Sequence, residues 1–270
     1  MDNKEYPQRG RNMKTNDRPL TDLMKAVDTG AAQLPDFQRG WVWDDGRIKA
    51  LILSVIHNFP VGAAMFLEYG NESIHFKHKP IEGADANPDT EPDELILDGQ
   101  QRLTSLYNAL YSKKPVHTKT DKGKEIDRYY YLDIEKAIDP AAGDDDVVIS
   151  IPSTRQVTSD FGRKIDKDLS TRRHEFEQKM FPLNIILDSG EEQGWQNEYY
   201  AYYNYDPAII RQFTELFSKI IMPLSKPIIV STIMTSFMAP WLDFIFAKVI
   251  AGADPRYYTV AIGLYTMLTK

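Results

Sequence analysis

The 270-residue sequence contains no cysteine. Disulfides and thiolate metal sites are therefore excluded, and the chain suits a reducing compartment, the cytoplasm. The first 30 residues hold no apolar h-region, so no secretory signal is read there. Histidine is scarce: His57, His75, His78, His117 and His174 are the full set, and none follows residue 174. His75 and His78 flank Phe76-Lys77 and read as surface residues of a strand or loop. No internal repeat is present. Long uncharged runs are also missing. The longest in the apolar C-terminal stretch is Pro227 to Leu242, which is 16 residues, where a bilayer span needs roughly 20. Asp243 and Lys248 interrupt its extension and Pro240 would kink it, so a membrane partner is not expected unless this tail inserts.

What is there is ordinary for a soluble globular chain: 42% hydrophobic and 26% charged residues, with a net charge of -7. A whole-surface attraction to nucleic acid is excluded by that sign, which leaves only local basic patches. The charge is uneven. Residues 219–270 carry five Lys/Arg against two Asp/Glu, whereas the preceding 218 carry 27 against 37. The expected organisation is a flexible arm over 1–18, a domain over 19–215 and an apolar, mainly helical tail over 216–270.

Periodicity predicts several elements. Leu20, Leu23, Met24 and Val27 fall on one face of a short helix. Pro35 and Asp36 break the chain. Asp44 or Asp45 caps a helix carrying Ile48, Leu51, Ile52, Val55, Ile56 and Phe59, ended by Pro60 and Gly62. Ala63 to Tyr69 reads as a buried strand and 83–93 as an acidic surface loop. Leu95-Ile96-Leu97 is a short strand, followed by a helix through Leu103, Leu106, Tyr107 and Leu110. Lys113 to Arg128 reads as a basic hairpin or loop, Tyr129 to Ile134 as a strand, and Asp144-Asp145-Asp146 as a turn. Residues 160–181 read as a charged helix, and Tyr199, Tyr202, Tyr203 and Tyr205 as an aromatic cluster.

The sharpest local signal is Leu97-Asp98-Gly99-Gln100-Gln101-Arg102-Leu103-Thr104. A strand stops, a glycine allows a tight turn, and a helix begins with free N–H groups that suit an anion. Arg102 can add a bidentate phosphate contact, and Gln100 and Gln101 offer amide donors. Asp98 can hold Mg²⁺ through water or orient an attacking water. The alternative is plainer: Asp98 is an N-cap and Gly99 eases the turn.

A second element is Phe37-Gln38-Arg39-Gly40-Trp41-Val42-Trp43. The tryptophans, Gln38 and Arg39 can stack on a base, hydrogen-bond it or hold a phosphate. Against this, Trp41 and Trp43 read as core anchors and Arg39 as the partner of a nearby carboxylate.

In this order, Pro-x-Phe-Gln-Arg-x-x-x-Trp, Asn58-Phe59-Pro60-Val61-Gly62 and the Asp98–Arg102 string resemble the N-terminal domain of GmrSD-type, modification-dependent restriction proteins. The resemblance is clear over 19–112 and weaker to about 215. It implies an α+β fold with a ParB/sulfiredoxin-like nucleotide-binding core, NTP binding and Mg²⁺-dependent hydrolysis coupled to sensing modified phage DNA. Carried over by position, Asp98, Gln101 and Arg102 form the catalytic set. Gln38, Arg39, Gly99, Gln100, Gln101, Arg102 and Thr104 bind the nucleotide, and Asp98 lies nearest the metal. The other reading of the same pocket is a nucleotide- or DNA-binding module that hydrolyses nothing. Relatives continue into an HNH-type nuclease domain. No histidine here lies in such a stretch, so a nuclease domain or subunit in trans is the implied partner.

From Glu215 through Ile220-Ile221-Met222-Pro223 and Trp241-Leu242-Asp243 to Leu264, the tail resembles the inner-membrane permease of sugar ABC importers. The positions that would open that permease's docking loop hold Asn204-Tyr205-Asp206 and Ile210, so the loop's first half is absent. The resemblance implies a fusion, in which case the product has no function; the alternative is a native helix pair covering the first domain. Two basic groups complete the reading: Lys113, Lys114, Lys119, Lys122, Lys124 and Arg128, and then Arg163, Lys164, Lys167, Arg172, Arg173 and Lys179. Either can track a phosphate backbone, although interleaved carboxylates make both read as solvated faces.

Overall fold

The computed structural model describes residues 18–57, 59, 61–70, 76–160 and 163–221. Most of the N-terminal arm, His75 and the chain beyond 221, with the permease-like stretch it holds, lie outside the described residues.

The first helix, α1 (Leu20–Thr29), buries Leu23, Met24, Ala26 and Val27 and stops at left-handed Gly30. Next comes β1 (Ala32–Pro35), all four residues buried. Helix α2 (Asp45–Ile56) starts on Asp44, whose carboxylate accepts from Arg47 N at 2.9 Å, and packs Ile48, Leu51, Ile52, Leu53 and Ile56 inward. Strands β2 (Met65–Glu68), β3 (His78–Lys79) and β4 (Glu94–Asp98) then complete a sheet in the order β2-β4-β1-β3. In it β1 and β4 are parallel and the other pairs antiparallel. Helix α3 (Gln100–Leu110) leaves directly from β4.

A second sheet is built around β6 (Glu125–Asp133), which pairs antiparallel with β5 (Val116–Lys119), β7 (Val148–Pro152) and β10 (Met180–Pro182). The connections carry α4 (Ile134–Ile138), α5 (Asp144–Val147), the hairpin β8 (Gln156–Ser159) with β9 (Lys164–Asp168), and α6 (Arg172–Glu177). A 3₁₀ turn at Leu183–Ile185 leads into α7 (Ser189–Tyr202) and α8 (Pro207–Leu216), capped by Asp188 and Asp206.

One apolar core joins these parts. It runs from Met24 and Ile52 through Leu106 and Leu110 to Phe181, Trp195 and Phe213. Trp195 stacks on Tyr199 and Phe213 with ring centroids 5.0 and 5.8 Å apart, and meets Phe181 edge-on at 5.0 Å. The α+β class expected from the sequence is what the chain shows. No helix among the described residues is long and apolar enough to cross a membrane.

Several expectations are corrected. Ala63 to Tyr69 does not give a buried strand: β2 is a sheet edge with Met65 47% and Leu67 39% exposed. The charged helix expected over 160–181 resolves into β9, the short α6 and β10. The turn at 144–146 begins a one-turn helix. Tyr199, Tyr202 and Tyr203 do cluster, with centroids 5.2 Å apart for Tyr199–Tyr203 and 5.0 Å for Tyr202–Tyr203. Tyr205 stands apart at 61% exposure.

Candidate functional site

The strand-to-helix junction forms as its residues dictate. Leu95 and Ile96 bury, and β4 ends at Asp98, whose side chain is 72% exposed. Gly99 turns the chain with φ +90, and a Cβ there would lie 3.1 Å from the Ala64 Cβ, so both backbone conformation and space demand glycine. No side chain caps α3, in contrast to the aspartate caps of α2, α7 and α8. The first-turn N–H groups of Gln100, Gln101 and Arg102 thus have no capping side chain among the described residues, although Gly99 and Gln100 are themselves buried. Asp98 is not the N-cap. Its carboxylate lies 3.5 Å from Arg102 Nη2 and accepts no helix N–H among the described residues.

The flanking loops are clasped to this junction by side chains on backbone groups. Gln100 donates through Nε2 to Arg39 O at 2.6 Å. Gln101 donates to Gly40 O at 3.1 Å and accepts from Val42 N at 3.0 Å. Gln38 donates to Leu97 O at 2.8 Å. Arg102 donates to Val61 O and, at 2.9 Å, to Ala63 O. Loop 37–43 and loop 61–64 are thereby both fastened to the helix start. The sequence-predicted residues converge, but Gln100, Gln101, Gln38 and Arg102 are occupied as clasps.

Arg39 differs. It is exposed, and among the described residues its guanidinium has no hydrogen bond or ion pair. The carboxylate partner weighed for it is not there. Lys79, on β3, adds charge beside this loop by donating to Gln38 O at 2.8 Å, without a carboxylate partner among the described residues. Thr104 is fully buried and its hydroxyl has no partner among the described residues, so it lies inside the fold rather than at its surface. Trp41 and Trp43 are half-buried against the core, and Trp41 Nε1 donates to Ser105 Oγ at 3.0 Å. Phe37, Phe59 and Val42 are exposed, at 65%, 62% and 43%, with Phe37 edge-on to Phe76 at 5.8 Å and Phe59 against His57 at 5.5 Å.

Sequence reasoning missed Lys79, whose role depends on strand pairing between β1 and β3. It also missed the closeness of Gly62 to Arg102, for which the Pro60-Val61-Gly62 turn was the available signal. No set of three metal-ligating His, Cys, Asp or Glu side chains occurs among the described residues.

The fold and junction define an α+β domain presenting an uncapped helix start between two clasped loops. The chain matches the GmrSD restriction endonuclease N-terminal domain over residues 20–236 and belongs to that family. It is also 32% identical over 177 residues to the uncharacterized protein MJ0686 of Methanocaldococcus jannaschii. That match covers 64% of this chain and 29% of the relative, so the chain spans under a third of that protein's length.

Proposed function

We propose that this chain is the nucleotide-binding, NTP-hydrolysing sensor module of a modification-dependent restriction system, with a ParB/sulfiredoxin-like core. The observation that carries the reading is the uncapped start of α3, to which the Arg39 backbone is tied through Gln100, with the Arg39 guanidinium unpaired among the described residues. Backbone N–H groups at a helix start and a cation on an adjoining loop are what a polyphosphate needs. Gln100, Gln101, Gln38 and Arg102 hold the loops that shape the mouth. Phe37 and Phe59 offer faces to a base.

The residues fit a nucleotide-borne Mg²⁺ rather than an all-protein metal cage. Such an ion keeps most of its waters and needs one or two carboxylates besides the phosphates, and Asp98 is the exposed carboxylate at the junction. When bound, the ion would supply charge neutralisation on the phosphates. Asp98 would orient water, and modified DNA and a nuclease in trans would be the partners.

A second reading is a module that binds nucleotide without hydrolysing it. The occupied Gln101 and Arg102 side chains favour it, because they leave Asp98 alone to handle water. Calorimetry with several NTPs, with and without Mg²⁺, tests binding, and phosphate release separates the readings. Absence of binding by every nucleotide would overturn both.

A further inference from the structure

The structure separates the two basic groups of the sequence. In the later one, Lys164 pairs with Asp166 at 3.1 Å and Arg173 with Glu177 at 3.0 Å. Arg172 pairs with Glu191 and Glu198 at 3.0 and 2.8 Å, and Lys179 pairs with Glu135. Lys167 is half-buried, and burial lowers its pKa. The paired part of that surface is neutralised internally, and exposed Arg163 has no ion pair among the described residues. In the earlier group, Lys113 and Lys114 pair with Asp188 and Asp85. Lys119, Lys122 and Lys124 have no ion pair among the described residues.

These three lysines sit on the ribbon formed by β5 and β6 and on its turn, 120–124. Every turn residue except half-buried Thr120 is exposed, and nothing lies within 4 Å of a Cβ built on Gly123. Of the ribbon's own carboxylates, Glu125 stands opposite Lys119 in the β5–β6 register. Asp127 and Glu125 face His117, at 2.8 and 3.7 Å from its ring nitrogens, and Asp121 lies against Gly46. On the opposite face Arg128 is half-buried, with its Nε sealed and without an acceptor. No large apolar side chain is exposed between residues 113 and 128, which disfavours a lipid surface. The ribbon is also tied to the candidate site, because Thr118 donates to Trp43 O at 2.8 Å and Val42, the residue before Trp43, is held by Gln101.

We propose that the tip of the β5–β6 ribbon is the surface that grips the sugar–phosphate backbone of duplex DNA, with Lys119, Lys122 and Lys124 as its phosphate contacts. A two-stranded ribbon fits the major groove of B-form DNA and is excluded from the deep, narrow groove of duplex RNA. The inference rests on the DNA-partner part of the function proposed above and names where that partner binds.

The test is fluorescence anisotropy of the full chain with a labelled DNA duplex across a salt series. Combined Lys119→Gln, Lys122→Gln and Lys124→Gln substitution is expected to weaken binding about tenfold or more. It should also flatten the log affinity against log salt slope by about 0.9 per lysine. Combined Arg172→Gln and Arg173→Gln substitution should leave both unchanged. Nucleotide affinity of the lysine variant, by calorimetry, should equal the parent's. Parental DNA affinity and slope in the lysine variant overturn the inference. So does a parent that binds no duplex, or a duplex RNA that competes more strongly than the DNA. DNA binding that responds as expected in a chain with no nucleotide affinity upholds the ribbon and overturns the nucleotide reading instead.

Discussion

The guanidinium of Arg102 fills the space in front of Gly62, where a Cβ would fall 2.2 Å from Nη1. Gly62 also has φ +86, so a side chain there meets both a left-handed backbone and a filled volume. Gly62→Ala is expected to cost about 2 kcal/mol, read as a lower urea midpoint with an unchanged denaturant slope. A variant as stable as the parent would show that Arg102 is not seated against loop 61–64.

Arg39 and Arg102 should separate binding from stability. Arg39→Ala is expected to lower affinity for the best-binding nucleotide about tenfold or more, because a charge-assisted hydrogen bond contributes about 1.5–3 kcal/mol. Its stability should stay within about 0.5 kcal/mol of the parent. Arg102→Ala should lose about 1 kcal/mol of stability as the carbonyls of Val61 and Ala63 lose their donor. Paired calorimetry and denaturation measure both. Parental nucleotide affinity in Arg39→Ala would remove Arg39 from the site.

Thr104 carries a buried hydroxyl without a partner. Thr104→Val replaces it with a methyl of similar size and is expected to hold or raise the melting temperature. Nucleotide affinity should be unchanged. A tenfold loss would instead show that the start of α3 opens on binding and exposes the hydroxyl to ligand.

Glu175 is 2% exposed in its side chain and accepts from Trp195 Nε1 at 2.9 Å and Tyr131 OH at 3.2 Å, with Arg155 at 3.5 Å. Glu175→Ala leaves these groups without their acceptor and should cost about 3 kcal/mol. Burial raises the carboxyl above its ordinary 4.5, although Trp195, Arg155 and Tyr131 oppose the shift. A raised folded value means that stability from this group is full below pH 4.5 and falls as pH climbs through that value. Glu175→Gln should abolish that fall. A pH series of denaturation midpoints with the same slope in parent and variant would contradict it.

Helix α2 was legible because Ile48, Ile52 and Ile56 repeat at helical spacing behind a capping aspartate. The β4–α3 junction was legible because an apolar triplet meets Asp-Gly. Strand β1 was not. Its four residues are all buried, so no alternation marks it, and Gln33 is there because its amide donates to Gly30 O and Thr90 O at 3.0 and 2.7 Å. Strand β9 hid for the opposite reason: Lys164-Ile165-Asp166-Lys167-Asp168 has one apolar residue, and that residue is 53% exposed. At the site, the sequence located the converging residues but not their use. A glutamine amide looks the same whether it will face a ligand or a carbonyl, and only the positions of loops 37–43 and 61–64 decide between them.

From Leu103 to Leu110 every residue of α3 is buried. A rod enclosed along its whole shaft has no free side on which to roll or slide. Its first turn is the looser part, with Gln101 and Arg102 only half-buried. For the nucleotide proposed above, the two loops fastened to that turn would be the way out, and the one ending at Trp43 meets the β5–β6 ribbon at Thr118.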